Sequence, residues 1–414
     1  MKTRTNNIVY SLLIMSTFFA YSCENVEDTS SSNIIPVAST VGKYNMLNLS
    51  DYVSDIKYVP LETNDSALIG YILQICYEDK KILIRNYSSF SNNDCYLFDT
   101  NGKFCNKIGL KGQGPYDYIG LSGAFLYEGN IYLMAHRKIL IYDLEGNLIK
   151  IHNVSPDEYF SDDRSMFPLD MNRFIAHPIT WKGDYPKAIL LETDQSGILK
   201  KIKEYPNYVT LNKNGVINLF EGGIMYRYKD DVRSFRIHCD TIFTIGKDTK
   251  MKDAFIFDFG KYKTPIPYIF QPTISSENKK YITINNAIFE SSNHLFISFD
   301  FRILAPEPIE LKNNQGRIYY DGRVNGVFDK RTGKLTLMKQ PIRGKLGFKN
   351  DIDGGPVIWP HYISSNNELI SYISAEEFLY YYNNTKNPTP HMTEVAKKIT
   401  PDDNEIVIIA KLKE

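Results

Sequence analysis

Short runs in which apolar and polar residues alternate recur along most of this chain. Asp55-Ile-Lys-Tyr-Val-Pro-Leu-Glu62, Tyr281-Ile-Thr-Ile284 and His294-Leu-Phe-Ile-Ser-Phe-Asp300 mix short apolar runs with single polar residues, which suits strands. Four such runs share an ending: Tyr96-Leu-Phe-Asp-Thr-Asn-Gly-Lys-Phe104, Ile141-Tyr-Asp-Leu-Glu-Gly-Asn-Leu148, Leu190-Leu-Glu-Thr-Asp-Gln-Ser-Gly-Ile198 and Val327-Phe-Asp-Lys-Arg-Thr-Gly-Lys-Leu335. Each is an apolar strand that reaches Asp, turns through a nearby Gly and resumes as a strand, which is hairpin chemistry. The repeat predicts an all-β propeller, with the shared turn ending the inner hairpin of each blade.

The first three repeated Asp residues, Asp99, Asp143 and Asp194, are 44 and 51 residues apart, each a suitable length for one four-stranded blade. A fifth unit ends at Asp240-Thr-Ile-Phe-Thr-Ile-Gly246. The long gap from there to Asp329 reads as one blade with insertions, Ala305 to Gly316 among them. Val357 to Ile363, Glu368 to Ile373 and Glu405 to Leu412 supply three further strands, interrupted by helical patterns over Ala375 to Asn383 and Met392 to Ile399. Asp55 to Glu62 has no blade of its own, and its Pro60 suits an exposed edge. The expectation is a six-bladed β-propeller of four-stranded blades, closed by this N-terminal strand joining the C-terminal blade. A β-sandwich with a second domain fits the regular spacing less well.

Composition agrees with strands: 30 Tyr and 23 Phe stand against ten Met in 414 residues. Lys plus Arg and Asp plus Glu both number 48, so no global field recruits nucleic acid. Cys76, Cys95, Cys105 and Cys239 are scattered without ligand spacing and imply neither a zinc site nor a disulfide framework. Lys2 and Arg4, the apolar stretch Ile8 to Ala20, and Ala20-Tyr-Ser-Cys23 resemble a bacterial lipoprotein signal. A mainly apolar stretch of thirteen residues is shorter than the roughly 20 that span a bilayer. Residues 1–22 therefore read as a signal peptide and Cys23 as the lipidation site. Residues 23–45, opening on the acidic, Ser-rich tract Glu24 to Asn33, read as a tether, and residues 46–414 as the propeller domain. The acidic positions Glu24, Glu27 and Asp28 resemble an export signal of Bacteroidetes lipoproteins, so the location expected is the outer membrane, at the cell surface or the periplasmic face.

Tyr58-Val-Pro-Leu-Glu-Thr63, Phe98-Asp-Thr-Asn-Gly-Lys-Phe104, Ile108-Gly-Leu-Lys-Gly-Gln-Gly-Pro-Tyr-Asp-Tyr118, Ile141-Tyr-Asp-Leu-Glu-Gly146 and Asp351-Ile-Asp-Gly-Gly-Pro356 together resemble the six-bladed β-propeller lipoprotein family of Bacteroidetes. The resemblance covers most of residues 50–414 and departs at Tyr116-Asp117, where that family more often shows Gly-Glu. It implies a fold and an envelope location, and carries over no catalytic motif.

The glycines of Gly109-Leu-Lys-Gly-Gln-Gly-Pro115 read as a connection between blades, since the Gly-Lys-Ser/Thr of a phosphate loop is missing; Lys111 and Gln113 are its only candidate ligand contacts. His177 with Trp181, and Trp359 with His361, pair the two Trp of the chain with His, a combination suited to stacking on a sugar or peptide. His136, Arg137 and Arg227 lie where segments can reach the propeller axis, and cations there favour a carboxylate or sulfated ligand. No metal and no cofactor is expected. The function expected is binding of a glycan, a peptide or an envelope protein. The alternatives are a propeller enzyme, a lactonase-like hydrolase or polysaccharide lyase acting at the central channel, and a structural subunit of a nutrient-import complex.

Overall fold

The computed structural model of the protein describes residues 33–89, 92–154, 166–177, 188–205, 223–236, 239–265, 278–312 and 318–413. The strands follow one another as antiparallel meanders. The first comprises Ile72–Glu78, Lys81–Ser89, Asn92–Asp99 and Phe104–Lys107. The second comprises Leu121–Tyr127, Asn130–Ala135, Lys138–Asp143 and Leu148–Val154, and the third Met166–Pro168, Arg173–Ala176, Ile189–Thr193 and Ile198–Glu204. The fourth comprises Ile224–Tyr228, Asp231–Phe235, Thr241–Ile245 and Met251–Phe257. The fifth, Thr283–Glu290, His294–Asp300, Arg323–Asp329 and Lys334–Met338, is one sheet whose insertion forms the hairpin Ile309–Lys312 with Ile318–Asp321. The closing sheet pairs Tyr362–Ile363, Glu368–Ile373 and Ile406–Leu412 with Val53–Pro60. The arrangement is all-β and propeller-like.

The N-terminal strand closes the fold as its orphan status predicts. It pairs antiparallel with Ile406–Leu412, from Ile406 opposite Pro60 to Leu412 opposite Val53, and forms the outer edge of the sheet, where the missing N–H of Pro60 costs no ladder bond. The two helices, Ala375–Asn384 and Pro390–Ala396, are capped by Ser374 and Thr389, whose side chains accept from the amides of Glu377 and Met392.

Three features differ from the sequence reading. The tether expected over 23–45 is, from residue 33, part of the fold. Ile34–Ile35 pairs in parallel with Met251–Phe257, and Tyr44–Asn45 with Lys334–Met338, making two five-stranded sheets. These additions cover outer strand edges that would otherwise present unpaired backbone. The second and third meanders are also joined, by parallel pairing of Asn153 with Ile198 and Val154 with Leu199, into an eight-stranded sheet. Finally, the repeated Asp-to-Gly turns join the third and fourth strands of a meander, not an inner hairpin.

The turn chemistry itself is uniform. Asp99, Asp143, Asp194 and Asp329 each accept two following backbone amides on Oδ1, and Gly102, Gly146, Gly197 and Gly333 have φ of 82°, 88°, 78° and 67°. The fourth meander keeps the geometry with Thr249, at φ 59°, in place of glycine. Gly102 has a second constraint, since a Cβ there would lie 1.9 Å from the Pro60 carbonyl oxygen. The Gly102 carbonyl accepts from Glu62 N at 2.7 Å, and a Glu62 carboxylate oxygen accepts from Phe104 N at 2.9 Å, so this turn latches the closing strand to the first meander.

The core is distributed between neighbouring sheets. Val59, Ile370 and Val407 pack with Ile72, Ile82 and Phe98 across the seam between the closing sheet and the first meander. Leu97 meets Leu121 and Leu133; Ile139 meets Phe174 and Leu191; Ile175 and Leu190 meet Val232 and Ile245. Phe235 and Phe257 meet Ile284 and Phe299, and Phe296 and Met338 meet Leu369 and Ile408. Every consecutive pair of sheets thus shares an apolar wedge, the dominant favourable term in such a fold.

The two constraints at Gly102 give an expectation. Gly197→Ala carries only the left-handed backbone penalty, about 1–2 kcal/mol, because its nearest contact is Ile151 O at 3.6 Å. Gly102→Ala adds the clash with Pro60 and loosens the seam, so denaturant unfolding should show the larger loss for Gly102→Ala. Equal losses would mean that the close approach to Pro60 does not constrain the closure.

Candidate functional site

The first strand of each meander faces a shared centre, and these strands wall a cavity of about 190 Å³. Its lining runs in chain order through Gln74 to Cys76, Phe125 to Tyr127, Phe167 and Pro168, Ile224 to Arg227, Ala287 to Glu290, and His361 to Ile363. A second cavity of about 290 Å³ shares Tyr127, Arg227, Glu290 and Tyr362 with it and opens among the turns that follow the inner strands, including Asp79, Glu128, Lys229, Ser292 and Ser365. A third, of about 340 Å³, shares Ala287 and His361 and includes Trp359, Asn325 and Lys345.

Arg227 lies on the wall of both of the first two cavities. Its guanidinium carbon is 3.4 Å from the centre of the Tyr127 ring and 5.6 Å from that of Phe167. Nη2 donates to the Pro168 carbonyl and Nη1 to the Asp230 carbonyl at 3.3 Å. Two of its five N–H donors are thereby used, and no carboxylate pairs with it among the described residues. Removal from water pulls its pKa below the ordinary arginine value.

One strand away the opposite solution is found. Arg233 holds Glu290 in a two-pronged pair, Nε to Oε2 at 2.8 Å and Nη2 to Oε1 at 3.1 Å, while Lys330 Nζ reaches Oε1 at 2.9 Å. The Glu290 side chain is 0% exposed, and Lys330 also sits 4.0 Å from the centre of the Tyr228 ring. Two cations share one carboxylate, so the buried cluster ties the fourth and fifth meanders together with a net positive charge. Tyr226, beside it, has its phenol pKa pushed far up, first by burial and then by the Glu290 charge.

A third group crosses the seam. Glu78, at the end of the first inner strand, accepts from Tyr362 Oη at 2.9 Å and from Ser365 N at 2.7 Å on Oε1, and from Ser365 Oγ on Oε2. Burial raises the Glu78 pKa in spite of these donors. His361, which lines both the first and third cavities, packs at a tilt against Tyr372, with ring centres 4.4 Å apart, and meets Ser371 Oγ through Nδ1 at 3.1 Å. Desolvation pulls its pKa down to about 4, so the imidazole is neutral at pH 7.

Of the residues singled out by sequence, Arg227 and His361 therefore share the central cavity, and Trp359 lies next to His361. Trp359 is also a packing residue, against Phe296 at 5.9 Å and Phe348 at 5.6 Å. Among the described residues, the candidates His177, His136 and Arg137 are not brought to this site. His177 is 0% exposed, its Nε2 is 2.7 Å from Ser234 Oγ, and it packs on the Gly223 backbone, so it bridges the third and fourth meanders as a core residue. His136 and Arg137 occupy an exposed turn between the second and third strands of the second meander, Arg137 with φ 58°, and line none of these three cavities. Trp181 and Cys23 lie outside the described residues. The glycine-rich loop closes on itself: Asp117 Oδ2 accepts from Gly114 N at 3.0 Å, and Lys138 Nζ reaches the Gly114, Pro115 and Asp117 carbonyls.

Sequence reasoning passed over Glu78, Tyr127, Tyr362, Glu290 and their partners. A signal was present, because an aromatic or acidic residue stands at or just beyond the end of four of the six inner strands: Tyr77-Glu78, Tyr127-Glu128, Tyr228 and Phe289-Glu290. Among the described residues no group of three or more His, Cys, Asp or Glu is placed to hold a metal ion. Chemically, the site can hold an apolar body against aromatic walls and offer hydrogen-bond donors from one guanidinium.

Residues 32–411 match the family described as Domain of unknown function (DUF4934). Among solved structures, an exported protein of Bacteroides fragilis NCTC 9343 aligns at TM-score 0.66 with 18% identity, over 92% of this chain and 100% of that one. A member of the DUF4221 family from Bacteroides vulgatus ATCC 8482 aligns at TM-score 0.51 with 13% identity, over 87% and 97% of the two chains. At these identities the likeness is one of fold. Comparison with curated proteins finds no match.

The buried imidazoles set a pH expectation. His152, with Nε2 at 2.8 Å from the Met171 carbonyl and Nδ1 at 2.7 Å from Thr193 Oγ1, is also pulled down to about 4 by burial. As pH falls below about 6.5 the unfolded chain binds protons that the native His152 and His361 refuse, so these two groups lower stability between about 6.5 and 4 and add no further loss below that. Denaturant unfolding at pH 7 and 4.5 should show this fall, and a His152→Gln, His361→Asn double variant should show a shallower one. An unchanged slope in the double variant would remove these histidines as the cause.

Proposed function

The chain belongs to the DUF4934 family, and we propose that it is an exported, lipid-anchored, six-bladed β-propeller that binds part of a glycan, a peptide or an envelope-protein segment in its central cavity. The observation that carries the binding role is the cavity itself, walled by the first strand of every meander and holding Arg227 without a carboxylate partner. Propeller ligand sites lie where inner strands converge, and a concave, largely apolar pocket with a few polar groups is the common form of a small-ligand site. The six-blade reading is supported by four antiparallel strands in each meander and by apolar wedges that run from each sheet to the next and back from the closing sheet to the first.

The anchoring reading rests on the signal pattern ending at Cys23; among the described residues no helix is long and apolar enough to cross a membrane. An enzymatic reading is favoured by one observation, that neutral His361, Arg227, Tyr362 and Glu78 all border adjoining cavities. In that reading His361 acts as a base on a substrate oriented by Arg227, and cleavage products appear.

Two experiments test this. Binding of the purified protein to arrays of glycans and peptides should be lost in Ala287→Trp, which fills the cavity from its wall. Recovery of the bound compound unchanged supports a binding module, turnover abolished by His361→Ala supports the enzyme, and undiminished binding by Ala287→Trp places the site elsewhere. Separately, Cys23→Ala should move the protein from the membrane to the soluble fraction. Membrane fractionation like that of the unsubstituted protein would overturn the anchor.

A further inference from the structure

Arg227 is retained in a cavity at an energetic cost that its own contacts do not offset. A guanidinium taken out of water is stabilised by a carboxylate or by a full set of acceptors. Here it has two backbone carbonyls and an aromatic face. None of the carboxylates that line the cavities pairs with it: Glu290 is held by Arg233 and Lys330, Glu78 by Tyr362 and Ser365, Glu128 by Lys247 at 2.7 Å and Asp79 by the Gly129 amide, while Asp230 meets Arg227 only through its backbone carbonyl. Tyr127 and the two carbonyls hold the guanidinium and leave three of its donors, on a group whose planar fork can match a carboxylate.

The rest of the wall describes the body that such a group would carry. Phe125, Phe167, Met225, Ile288 and Phe289 are apolar, and Gln74 is satisfied by Ala124, through Nε2 to its carbonyl at 2.7 Å and Oε1 from its amide at 3.1 Å. A volume of about 190 Å³ suits one ring, since a cavity of roughly 150 Å³ with apolar lining accepts benzene. Arg233 and Lys330 against the single Glu290 leave the deeper wall positive as well.

We propose that the central cavity binds an apolar-bodied monocarboxylate, of about one ring in size, with the carboxylate docked on Arg227. The group is either a free aromatic acid or the C-terminal end of a peptide with an apolar last residue; both present the same chemistry to the guanidinium. This rests on the reading of the cavity as the binding site and adds the charge and size of what enters it.

The test is calorimetric titration of the full-length protein with phenylacetate and its neutral isostere phenylacetamide, and with N-acetyl-Ala-Phe as the free acid and as the amide. An acid should bind at least about tenfold more tightly than its amide, and Arg227→Gln should remove that preference while Arg227→Lys keeps part of it. Preference for phenylacetate alone identifies a free acid, and a tighter N-acetyl-Ala-Phe acid identifies a peptide end. Equal binding of acid and amide, or no binding of either acid, overturns the carboxylate inference without the use of any variant. The cavity reading fails separately, if Ala287→Trp leaves binding of the probes or array ligands intact.

Discussion

The structure depends on one pairing, that of Val53–Pro60 with Ile406–Leu412. It joins strands some 350 residues apart in sequence, so it is among the most non-local contacts in the chain and carries a large closure entropy. Much of the local chemistry around it serves to hold it. Asn404 Nδ2 donates to the Glu62 and Ala67 carbonyls at 2.8 and 2.6 Å, its Oδ1 accepts from Ile69 N, and its own amide donates to Thr63 Oγ1. On the other side Tyr58 packs edge-on against Phe378 and donates its amide to His391 Nε2, so the two C-terminal helices clamp the same strand. The site inherits this constraint, because the Tyr362 to Glu78 bond joins the closing sheet to the first meander. Part of the cavity wall exists only when the seam is shut.

Outer and inner strands follow different rules. At the outer turns of four meanders the same solution recurs, an Asp carboxylate collecting two amides ahead of a left-handed glycine, and the fourth meander makes the same reversal with Gly246 in place of the Asp and Thr249 in place of the glycine. At the inner strand ends the residues diverge into Glu78, Glu128, Tyr228 and Glu290, since no backbone requirement fixes them. Repetition marks what the architecture needs; divergence at the equivalent inner positions marks where this chain can differ chemically from others of the same shape.

This division explains what was legible in the sequence. Alternating apolar runs, Asp-Gly turns and the unpaired strand around Pro60 are local signals, and each corresponds to an element in the structure. The early strands Ile34–Ile35 and Tyr44–Asn45 escaped because two residues carry no period, and only the exposed edges they cover explain them. The site was less legible. Arg227 and His361 were found by residue type, but type did not separate them from His177, which Ser234 and Gly223 draw into the core, or from His136 and Arg137 on the exposed turn between the second and third strands of their meander. Glu78 with Tyr362, and Glu290 with Arg233, were hidden because their partners are 284 and 57 residues away.

Two arginines on neighbouring strands show how partner type separates structure from function. Arg233 has a carboxylate with both prongs engaged, and the Glu290 charge and hydrogen bonds hold its pKa above the ordinary value against burial. Removing either partner would leave a charge buried alone, which makes the pair a fastener between sheets. Arg227 is half-buried and lacks that carboxylate, and its pKa moves the other way. Burial alone would have selected against it, since an apolar residue in its place would fill the same wall at lower cost. The carboxylate ligand proposed for the cavity would supply the partner that Arg227 lacks, at the centre where the inner strands converge.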